Sequence, residues 1–169
     1  MKKILLLIAV ITVYAVIQFS TNKISTESSS PAKKYVPDII VKDLEGKDIE
    51  LKKLINGKVT VLNFWATWCP SCRKELAEME KFFQKYKDNG LSIIAFSVDQ
   101  DINEVKKYVK ENQPAIKIIM ANDNLISAYG GIKSIPVTFI LDIEGQIKNK
   151  IIGYNTKIED EIKKYLDIK

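Results

Sequence analysis

Histidine is absent from this chain of 169 residues, and cysteine occurs only at Cys69 and Cys72. A zinc site normally takes four Cys or His ligands, so these two cysteines would need carboxylates or a second subunit to hold the metal. The seven glycines form no Rossmann or P-loop pattern, which argues against a nucleotide or a flavin. We therefore expect no metal and no bound cofactor. The cysteine pair itself remains as the candidate reactive group.

Basic residues outnumber acidic ones, 26 against 21, but the excess is concentrated near the N-terminus. Residues 1–34 hold five lysines and one glutamate, a net charge of +4. Subtraction leaves 21 basic and 20 acidic residues, a net charge of +1, for residues 35–169. A nucleic-acid-binding domain would carry a basic patch, and this distribution does not support one.

The chain has one long apolar run, and it lies at the N-terminus. Lys2 and Lys3 precede a stretch from Ile4 to Ile17 that is interrupted only by Thr12. As a helix, residues 4–19 would span about 24 Å, which suits a short membrane anchor or a cleaved signal peptide. Because the lysines come first, the rest of the chain is predicted to lie outside the cytoplasm. We favour an uncleaved anchor over residues 1–19 and a flexible linker over residues 20–34, which are polar and aperiodic.

The remaining 135 residues, 35–169, are enough for one hydrophobic core and too few for two domains. Apolar periodicity and turn residues predict strands that alternate with helices. The predicted strands are 39–41, 48–50, 59–66, 91–98, 117–120, 136–141 and 147–152, and the predicted helices are 51–54 (one turn), 70–88, 102–112, 123–129 and 157–167. The first two strands form a small hairpin about residues 45–47. Parallel strands joined by helices and closed by an antiparallel hairpin give a three-layer α/β sandwich with a mixed sheet.

The two cysteines lie in Trp68-Cys69-Pro70-Ser71-Cys72, directly after the apolar strand 59–66. Pro70 suits the first position of a helix, where its missing N–H has no intrahelical partner. A helix N-terminus lowers the pKa of a cysteine, because its N–H groups and its dipole stabilise a thiolate. As a structural staple the pair is poor, since the chain-entropy model assigns so short a loop roughly 2 kcal/mol. The pattern therefore predicts a pair that is oxidised and reduced.

Helix 70–88 places a glutamate near the second cysteine. Its apolar stripe consists of Leu76, Met79, Phe82, Phe83 and Tyr86. Extended towards the N-terminus, the same face passes through Glu75 and Cys72. Burial there would raise the pKa of Glu75 and suit it to accept a proton from Cys72. The alternative is a solvated glutamate in the first turn that the helix dipole favours.

Two motifs in this order carry a resemblance to the thioredoxin fold. They are Phe64-Trp65-Ala66-Thr67-Trp68-Cys69-Pro70-Ser71-Cys72 and Ser134-Ile135-Pro136-Val137-Thr138-Phe139, the second followed by Asp142-x-x-Gly145. More narrowly, residues 35–169 are similar to the membrane-anchored TlpA/ResA/CcmG group. Sixty-three residues separate Cys72 from Pro136, which leaves room for an extra strand–helix element. Such a central insertion, with an added N-terminal hairpin, is what this group carries.

The resemblance, together with the chemistry of the residues, implies a role for each site residue. Cys69 would be the exposed thiolate that attacks a substrate disulfide, and Cys72 would resolve the mixed disulfide. Members of the group carry a glutamate three residues after the second cysteine, where this chain has Glu75. Pro136 would be cis and lie against the cysteine pair, and the backbone of Ile135 would pair with an extended substrate.

Residues around these positions complete the expected site. Trp68 and Pro70 would border the substrate groove, Trp68 as a half-exposed wall, whereas Trp65 is predicted to be core. Lys133 and Ser134 would either border the same groove or form an ordinary polar loop. Thioredoxin proper has a buried aspartate where this chain has Asn63. An amide cannot shuttle a proton, so that task falls on Glu75 or on water, and Asn63 is expected to be a hydrogen-bonded buried amide.

We therefore expect a protein-disulfide reductase on the extracytoplasmic side of the bacterial cytoplasmic membrane, held by a single-pass anchor. The resemblance implies that it reduces protein disulfides, such as the Cys-x-x-Cys pair of apocytochrome c during cytochrome c maturation. Its electrons would come from a transmembrane thiol donor, and we expect a monomer that binds no nucleic acid. A reductase for another envelope or spore protein, and an oxidant that forms disulfides, remain alternatives, because direction depends on how far the Cys69 thiolate is stabilised.

Two other classes on related folds are disfavoured. The peroxiredoxin pattern Pro-x-x-x-Thr-x-x-Cys would need proline and threonine where the chain has Leu62 and Ala66. Copper-binding assembly factors on the same fold carry a Cys-x-x-x-Cys pair and a distant histidine. This chain has two residues between its cysteines and no histidine.

Overall fold

A five-stranded sheet forms the centre of the computed structural model, which describes residues 35–166. The predicted anchor over residues 1–19 and the predicted linker over residues 20–34 lie outside the described residues, as do residues 167–169. Within residues 35–166, no helix is both long enough and apolar enough to cross a membrane.

The elements follow one another in the order that the hydrophobic pattern predicts. The strands are β1 (Ile40–Lys42), β2 (Asp48–Glu50), β3 (Val59–Trp65), β4 (Leu91–Ser97), β5 (Lys117–Met120), β6 (Val137–Leu141) and β7 (Ile147–Ile152). The helices are α1 (Leu51–Ile55), α2 (Pro70–Tyr86), α3 (Ile102–Asn112), α4 (Asp123–Ala128) and α5 (Ile158–Lys163), and a short 3-10 turn, Lys87–Asn89, follows α2. Except at the end of α5, the boundaries agree with the predicted ones to within two residues.

The sheet is mixed, as predicted, and its strand order is β5-β4-β3-β6-β7. Strand β3 pairs in parallel with β4 and antiparallel with β6, and β4 pairs in parallel with β5. All seven residues of β3 are buried, because the strand is central and covered on both faces. The hairpin β1–β2 forms a separate two-stranded sheet. Two strand–helix elements, β4–α3 and β5–α4, lie between Cys72 and Pro136, in agreement with the extra element predicted there.

Hydrophobic residues pack on both faces of the sheet. One face carries α2, α3 and α5 through Leu76, Met79, Val105, Ile158 and Ile162. The other face carries the β1–β2 hairpin, α1 and α4 through Val41, Leu51 and Leu125. The predicted stripe of α2 is confirmed, since Leu76, Met79 and Tyr86 are buried and Phe82 and Phe83 are partly buried against the same core. The α/β sandwich therefore has the three layers that the sequence predicts.

The prediction of a helix over residues 157–167 is wrong at its C-terminal end. Helix α5 ends at Lys163, and the Tyr165 N–H donates to the Ile162 carbonyl at 3.1 Å, a tighter turn than that of an α-helix. The apolar residues Ile158, Ile162 and Leu166 keep a helical spacing, and all three are buried. A turn can thus bury Leu166 without extending the helix.

Candidate active site

The cysteine pair lies where β3 leads into α2, and the two cysteines form a disulfide. Cys69 is the N-cap of α2, and Pro70 occupies the first helical turn as predicted. The Cys72 N–H donates to the Cys69 Sγ at 3.2 Å. Such a donor stabilises a thiolate on Cys69 after reduction, as does the dipole of a helix of this length. The local structure therefore supplies the electrostatics that the motif predicts.

The two sulfurs differ in accessibility. Cys69 is 6% exposed and Cys72 is 0% exposed. Cys69 is thus less open in the disulfide than the exposed thiolate that was predicted, but it is still the more accessible of the two. An incoming disulfide can reach Cys69 and cannot reach Cys72.

Trp68 and Trp65 occupy different environments, as predicted. Trp68 is 67% exposed beside Cys69. Trp65 is fully buried, and its ring lies against Tyr108 with a centroid separation of 4.8 Å. Pro70 and Ser71 are exposed as well, and the Ser71 Oγ lies 3.4 Å from the Cys69 Sγ. Trp68, Pro70 and Ser71 therefore form the solvent-facing rim of the cysteine pair.

Glu75 is fully buried on α2, which contradicts the alternative of a solvated first-turn glutamate. Its carboxylate accepts a hydrogen bond from the Asn63 Nδ2 at 2.9 Å and a longer one from the Asn155 backbone N–H at 3.4 Å. Asn63 comes from β3, and Asn155 follows β7. The carboxyl group is therefore enclosed by three separate parts of the chain.

Burial raises the pKa of Glu75 to about 7, since a charged carboxylate loses its hydration there. Hydrogen bonds from the Asn155 N–H, from Asn63 and from Thr138 act in the opposite direction, and the nearby charge of Glu78 adds to the rise. Desolvation outweighs these hydrogen bonds. Glu75 can therefore both hold and release a proton near neutral pH.

Asn63 is a buried amide with its donors in use. Its Nδ2 donates to Glu75 and, at 2.9 Å, to the Thr138 Oγ1 on β6. This arrangement agrees with the prediction of a hydrogen-bonded buried amide. Since an amide does not titrate, Glu75 is the group in this cluster that can take up a proton.

The segment before β6 contains the other predicted site residues. The Ile135–Pro136 peptide bond is cis, in agreement with the resemblance, and Pro136 is buried. Ile135 is partly buried and packs against the hydrophobic cluster that contains both cysteines. Lys133 and Ser134 are exposed, and within residues 35–166 their side chains make no hydrogen bond or ion pair with the protein. Ile135 therefore packs against the same hydrophobic cluster as the cysteines, while the expected substrate contacts of Ile135 and Pro136 and the two alternatives for Lys133 and Ser134 stay predictions.

A second polar cluster, not anticipated from the sequence, holds the turn before Cys69. Asp99 follows β4, is 9% exposed and accepts hydrogen bonds from the Thr67 N–H at 2.9 Å and from the Thr67 hydroxyl at 2.6 Å. The Ser97 hydroxyl also donates to Asp99, at 2.6 Å. Because β3 and β4 are parallel, their C-terminal ends meet at one edge of the sheet. Polar residues after adjacent strands were the sequence feature that could have revealed this cluster.

We expect Asp99→Ala to lower the free energy of unfolding by about 1–3 kcal/mol, because Thr67 and Ser97 lose a buried acceptor. Urea unfolding of the full chain measures the effect. Asp88→Ala is the matched control, since Asp88 is exposed, and that change should stay within about 0.5 kcal/mol. Equal losses in the two variants would contradict a role for Asp99 in holding the turn.

The Thr138 hydroxyl and the Asn155 N–H were also missed. Thr138 lies in the second motif, but nothing in that motif indicates that its hydroxyl faces Asn63. The contact of a backbone N–H such as that of Asn155 does not depend on the type of residue, so no sequence pattern indicates it.

The buried carboxyl group of Glu75, the cysteine pair at the start of α2 and the mixed sheet together define a thiol–disulfide oxidoreductase with a thioredoxin-like fold.

Comparison with known proteins agrees with that class. Residues 32–150 match the model of the AhpC/TSA family. A thiol-disulfide oxidoreductase ResA from Bacillus thuringiensis (strain Al Hakam) is 41% identical over 136 residues, which cover 79% of this chain and 75% of that protein. A thiol-disulfide oxidoreductase ResA from Halalkalibacterium halodurans is 32% identical over 163 residues, which cover 96% of this chain and 90% of that protein.

The structural comparison gives the same result. The crystal structure of a thiol:disulfide interchange protein of the thioredoxin family from Chlorobium tepidum TLS superposes with a TM-score of 0.69 at 30% identity, covering 78% of this chain and 94% of that one. The chain belongs to the AhpC/TSA family and, within it, to the ResA-type thiol–disulfide oxidoreductases.

Proposed function

We propose that this protein reduces disulfide bonds of protein substrates outside the bacterial cytoplasmic membrane. The proposed substrate is the Cys-x-x-Cys pair of apocytochrome c before haem attachment, and the proposed electron source is a transmembrane thiol donor. The similarity to the TlpA/ResA/CcmG group supports the substrate. The apolar run from Ile4 to Ile17, preceded by Lys2 and Lys3, supports the location.

The observation that carries the reductase role is the buried Glu75 on the helix of Cys72. A reductase must release its substrate, and release needs a Cys72 thiolate although Cys72 is fully buried. An ordinary thiol has a pKa of about 8.5, so its proton moves to a carboxylate of pKa 4.3 only at a cost of about 6 kcal/mol. With the pKa of Glu75 raised to about 7, the cost for such an ordinary thiol falls to about 2 kcal/mol. Burial of Glu75 thus makes the proton transfer accessible.

The proposed reaction has two thiol–disulfide exchanges. First, the Cys69 thiolate attacks one sulfur of the substrate disulfide, which breaks that bond, forms a mixed disulfide and releases the other substrate sulfur as a thiolate. Cys72 then gives its proton to Glu75, and its thiolate attacks the Cys69 Sγ. The Cys69–Cys72 disulfide forms, the substrate leaves with two reduced sulfurs, and two electrons have passed to it. The donor restores the dithiol by the reverse exchange.

Trapping identifies the substrate. With a disulfide-bonded apocytochrome c peptide, reduced Cys72→Ser is expected to accumulate the mixed disulfide on Cys69, because the resolving thiol is missing. Cys69→Ser is the matched control and should trap nothing, since its remaining thiol is buried. Mass spectrometry of non-reduced samples measures the adduct. Equal trapping of a disulfide peptide without a haem-binding motif would contradict specificity for apocytochrome c.

The reduction potential of the full chain tests the direction. We expect a value at or below about −270 mV, that of a reductant which needs a dedicated donor. A value near about −120 mV would instead identify a disulfide-forming oxidant. A deletion strain that assembles c-type cytochromes normally would overturn the substrate while leaving the reductase chemistry in place.

A further inference from the structure

A short loop after β7, residues 153–155, is bonded to two parts of the site. The Gly153 N–H donates to the Pro136 carbonyl at 2.8 Å. The Asn155 N–H donates to the Glu75 Oε1 at 3.4 Å. The loop therefore connects the proline segment to the buried carboxyl group, and its middle residue is Tyr154.

The Tyr154 side chain is held by two residues of α2. Its hydroxyl donates to the Glu78 Oε1 at 2.6 Å, and the Lys74 Nζ lies 4.7 Å from the centroid of its ring. Lys74 and Glu78 are one helical turn apart and lie on either side of Glu75 in the sequence. Tyr154 is thereby fastened to the same turn of α2 that carries Glu75.

The hydrogen bond that Tyr154 makes to Glu78 is stronger than the one that the Asn155 N–H makes to Glu75. The hydrogen bond from the Asn155 N–H to Glu75 is long, 3.4 Å, and is weak by itself. The bond from Tyr154 to the Glu78 carboxylate is short, 2.6 Å, and is of the charge-assisted kind. The position of Asn155 over Glu75 therefore depends on the neighbouring Tyr154 more than on its own bond.

We propose that Tyr154 is a positioning residue that holds the loop 153–155 against Glu75, through Glu78 and Lys74, and so keeps water away from the Glu75 carboxyl group. This inference rests on the proton-accepting role of Glu75 in the proposed function. It extends that role by assigning the control of Glu75 to a residue 79 positions away in the sequence. We assign Tyr154 no direct part in the thiol–disulfide exchange or in the proton transfer.

The groups around Glu75 determine the direction of the effect. Its own helix contributes the charge of Glu78, and Cys72 lies one turn before Glu75 on that helix. Strands β3 and β6 contribute the neutral Asn63 and Thr138. The loop contributes the Asn155 N–H and Tyr154, with Lys74 beside the Tyr154 ring. Desolvation is the largest cause of the raised pKa of Glu75, and the Asn155 N–H is a smaller cause of opposite sign. Opening the loop breaks that hydrogen bond and admits water to the carboxyl group. Because desolvation is the larger cause, we expect the gain in hydration to dominate and the pKa of Glu75 to fall.

A disulfide reagent that leaves a coloured thiol, 5,5′-dithiobis(2-nitrobenzoate), tests this proposal on the reduced full chain by stopped flow. Attack by Cys69 releases one equivalent of coloured thiol, and attack by Cys72 on the resulting mixed disulfide releases a second. The rate of the second release should rise with pH through the pKa of Glu75. In Tyr154→Phe the midpoint of that rise is expected to fall by on the order of one pH unit, and in Tyr154→Ala, which also loses the ring, at least as far.

Tyr86→Phe is the matched control. The Tyr86 hydroxyl donates to the Glu159 Oε1 at 2.8 Å, and the Lys85 Nζ lies 4.9 Å from the ring centroid. The same trio of side chains thus occurs eleven residues along α2 from Glu75, about 16 Å away. This variant should keep the wild-type midpoint.

Glu75→Gln distinguishes a failure of the positioning role of Tyr154 from a failure of the proton-accepting role of Glu75. The Cys72 thiol also ionises by itself, so Glu75→Gln should keep a rise only at higher pH, at or above the ordinary thiol pKa of about 8.5. If the rise moves there in Glu75→Gln and keeps its wild-type midpoint, or moves upward, in both Tyr154 variants, the positioning role is overturned and the role of Glu75 stands. If Glu75→Gln keeps the wild-type midpoint, the proton-accepting role and this inference both fall. A lower midpoint in the Tyr154 variants, with Tyr86→Phe unchanged, supports the proposal.

Discussion

In Glu75→Gln, the mixed disulfide on Cys69 is expected to persist on the order of 10²-fold longer than in the wild-type protein at pH 8. Loss of a general base costs about 10²- to 10⁴-fold in rate, and we take the lower end because water can accept part of the proton flux. Glutamine has the size of glutamate and cannot accept a proton, but its single oxygen can replace only one of the two carboxylate oxygens, of which Oε2 accepts from Asn63 and Oε1 from the Asn155 N–H. The chemistry is removed while the packing stays.

Two-phase release of the coloured thiol checks this expectation. The first release, by Cys69, should be nearly unchanged, and the second, by Cys72, should be slowed. Glu111→Gln is the matched control, because Glu111 is an exposed glutamate on α3 and should leave both phases unaffected. A similar slowing of both phases in Glu75→Gln would mean that the substitution disturbs the site as a whole, which would count against the specific role.

The same substitution is expected to make the protein more stable at neutral and alkaline pH. The pKa of Glu75 is about 7 in the folded protein against 4.5 in the unfolded chain. Below pH 4.5 the carboxyl group is protonated in both states and has no effect. Between pH 4.5 and 7 the unfolded chain releases the proton and the folded protein keeps it, so the free energy of unfolding falls as pH rises. Over that window the loss is about 3 kcal/mol, and above pH 7 it is constant.

Urea unfolding of the oxidised full chain from pH 4.5 to 8 measures this effect. The difference in the free energy of unfolding between Glu75→Gln and the wild type should grow by about 3 kcal/mol across the window. Glu159 does not interfere, because a hydrogen bond from Tyr86 lowers its pKa to about 2, which places its titration below the window. Glu111→Gln should follow the wild-type curve. Parallel curves for Glu75→Gln and the wild type would show that Glu75 is not held protonated by the fold.

The slower reaction and the higher stability expected for Glu75→Gln have one cause, the burial of the Glu75 carboxyl group. A carboxyl group that is buried for proton transfer lowers the stability of the protein in which it is buried, and the fold compensates elsewhere. The partial compensation is visible at the site, where Asn63 and the Asn155 N–H donate to Glu75 without fully offsetting desolvation.

Most of the fold was predictable, because each element shows its own periodicity. Strand β3 is buried at all seven positions and is a continuous apolar and β-branched run in the sequence, apart from Asn63. Helix α2 begins at Pro70, and the 3-10 turn that follows it ends at Gly90, whose backbone adopts the left-handed conformation that terminates such segments. The end of α5 was not predictable, since a turn and a helix bury Leu166 equally well.

The candidate site was predictable where it depends on positions within one helix. The placement of Cys69 as N-cap, and of Cys72 and Glu75 on one face, follows from the 3.6-residue period of α2. The cis bond before Pro136 came from the resemblance to a family and from no local pattern. The contacts of Asp99 with Thr67, and of Tyr154 with Glu78, were not predicted at all.

The difference has a physical cause. Residues that are close in the sequence are positioned by the regular geometry of a helix. Their spacing therefore predicts the redox motif, its helix and the face of the helix on which Glu75 lies. The pKa of Glu75 depends on how completely water is removed and on which donors remain. Those donors include Asn155, 80 residues away in the sequence, and they meet Glu75 only after the sheet has assembled. Whether Glu75 is an ordinary surface carboxylate or a proton acceptor near neutral pH is decided by the tertiary packing that removes water from it, because desolvation is a property of the enclosed space and not of the motif.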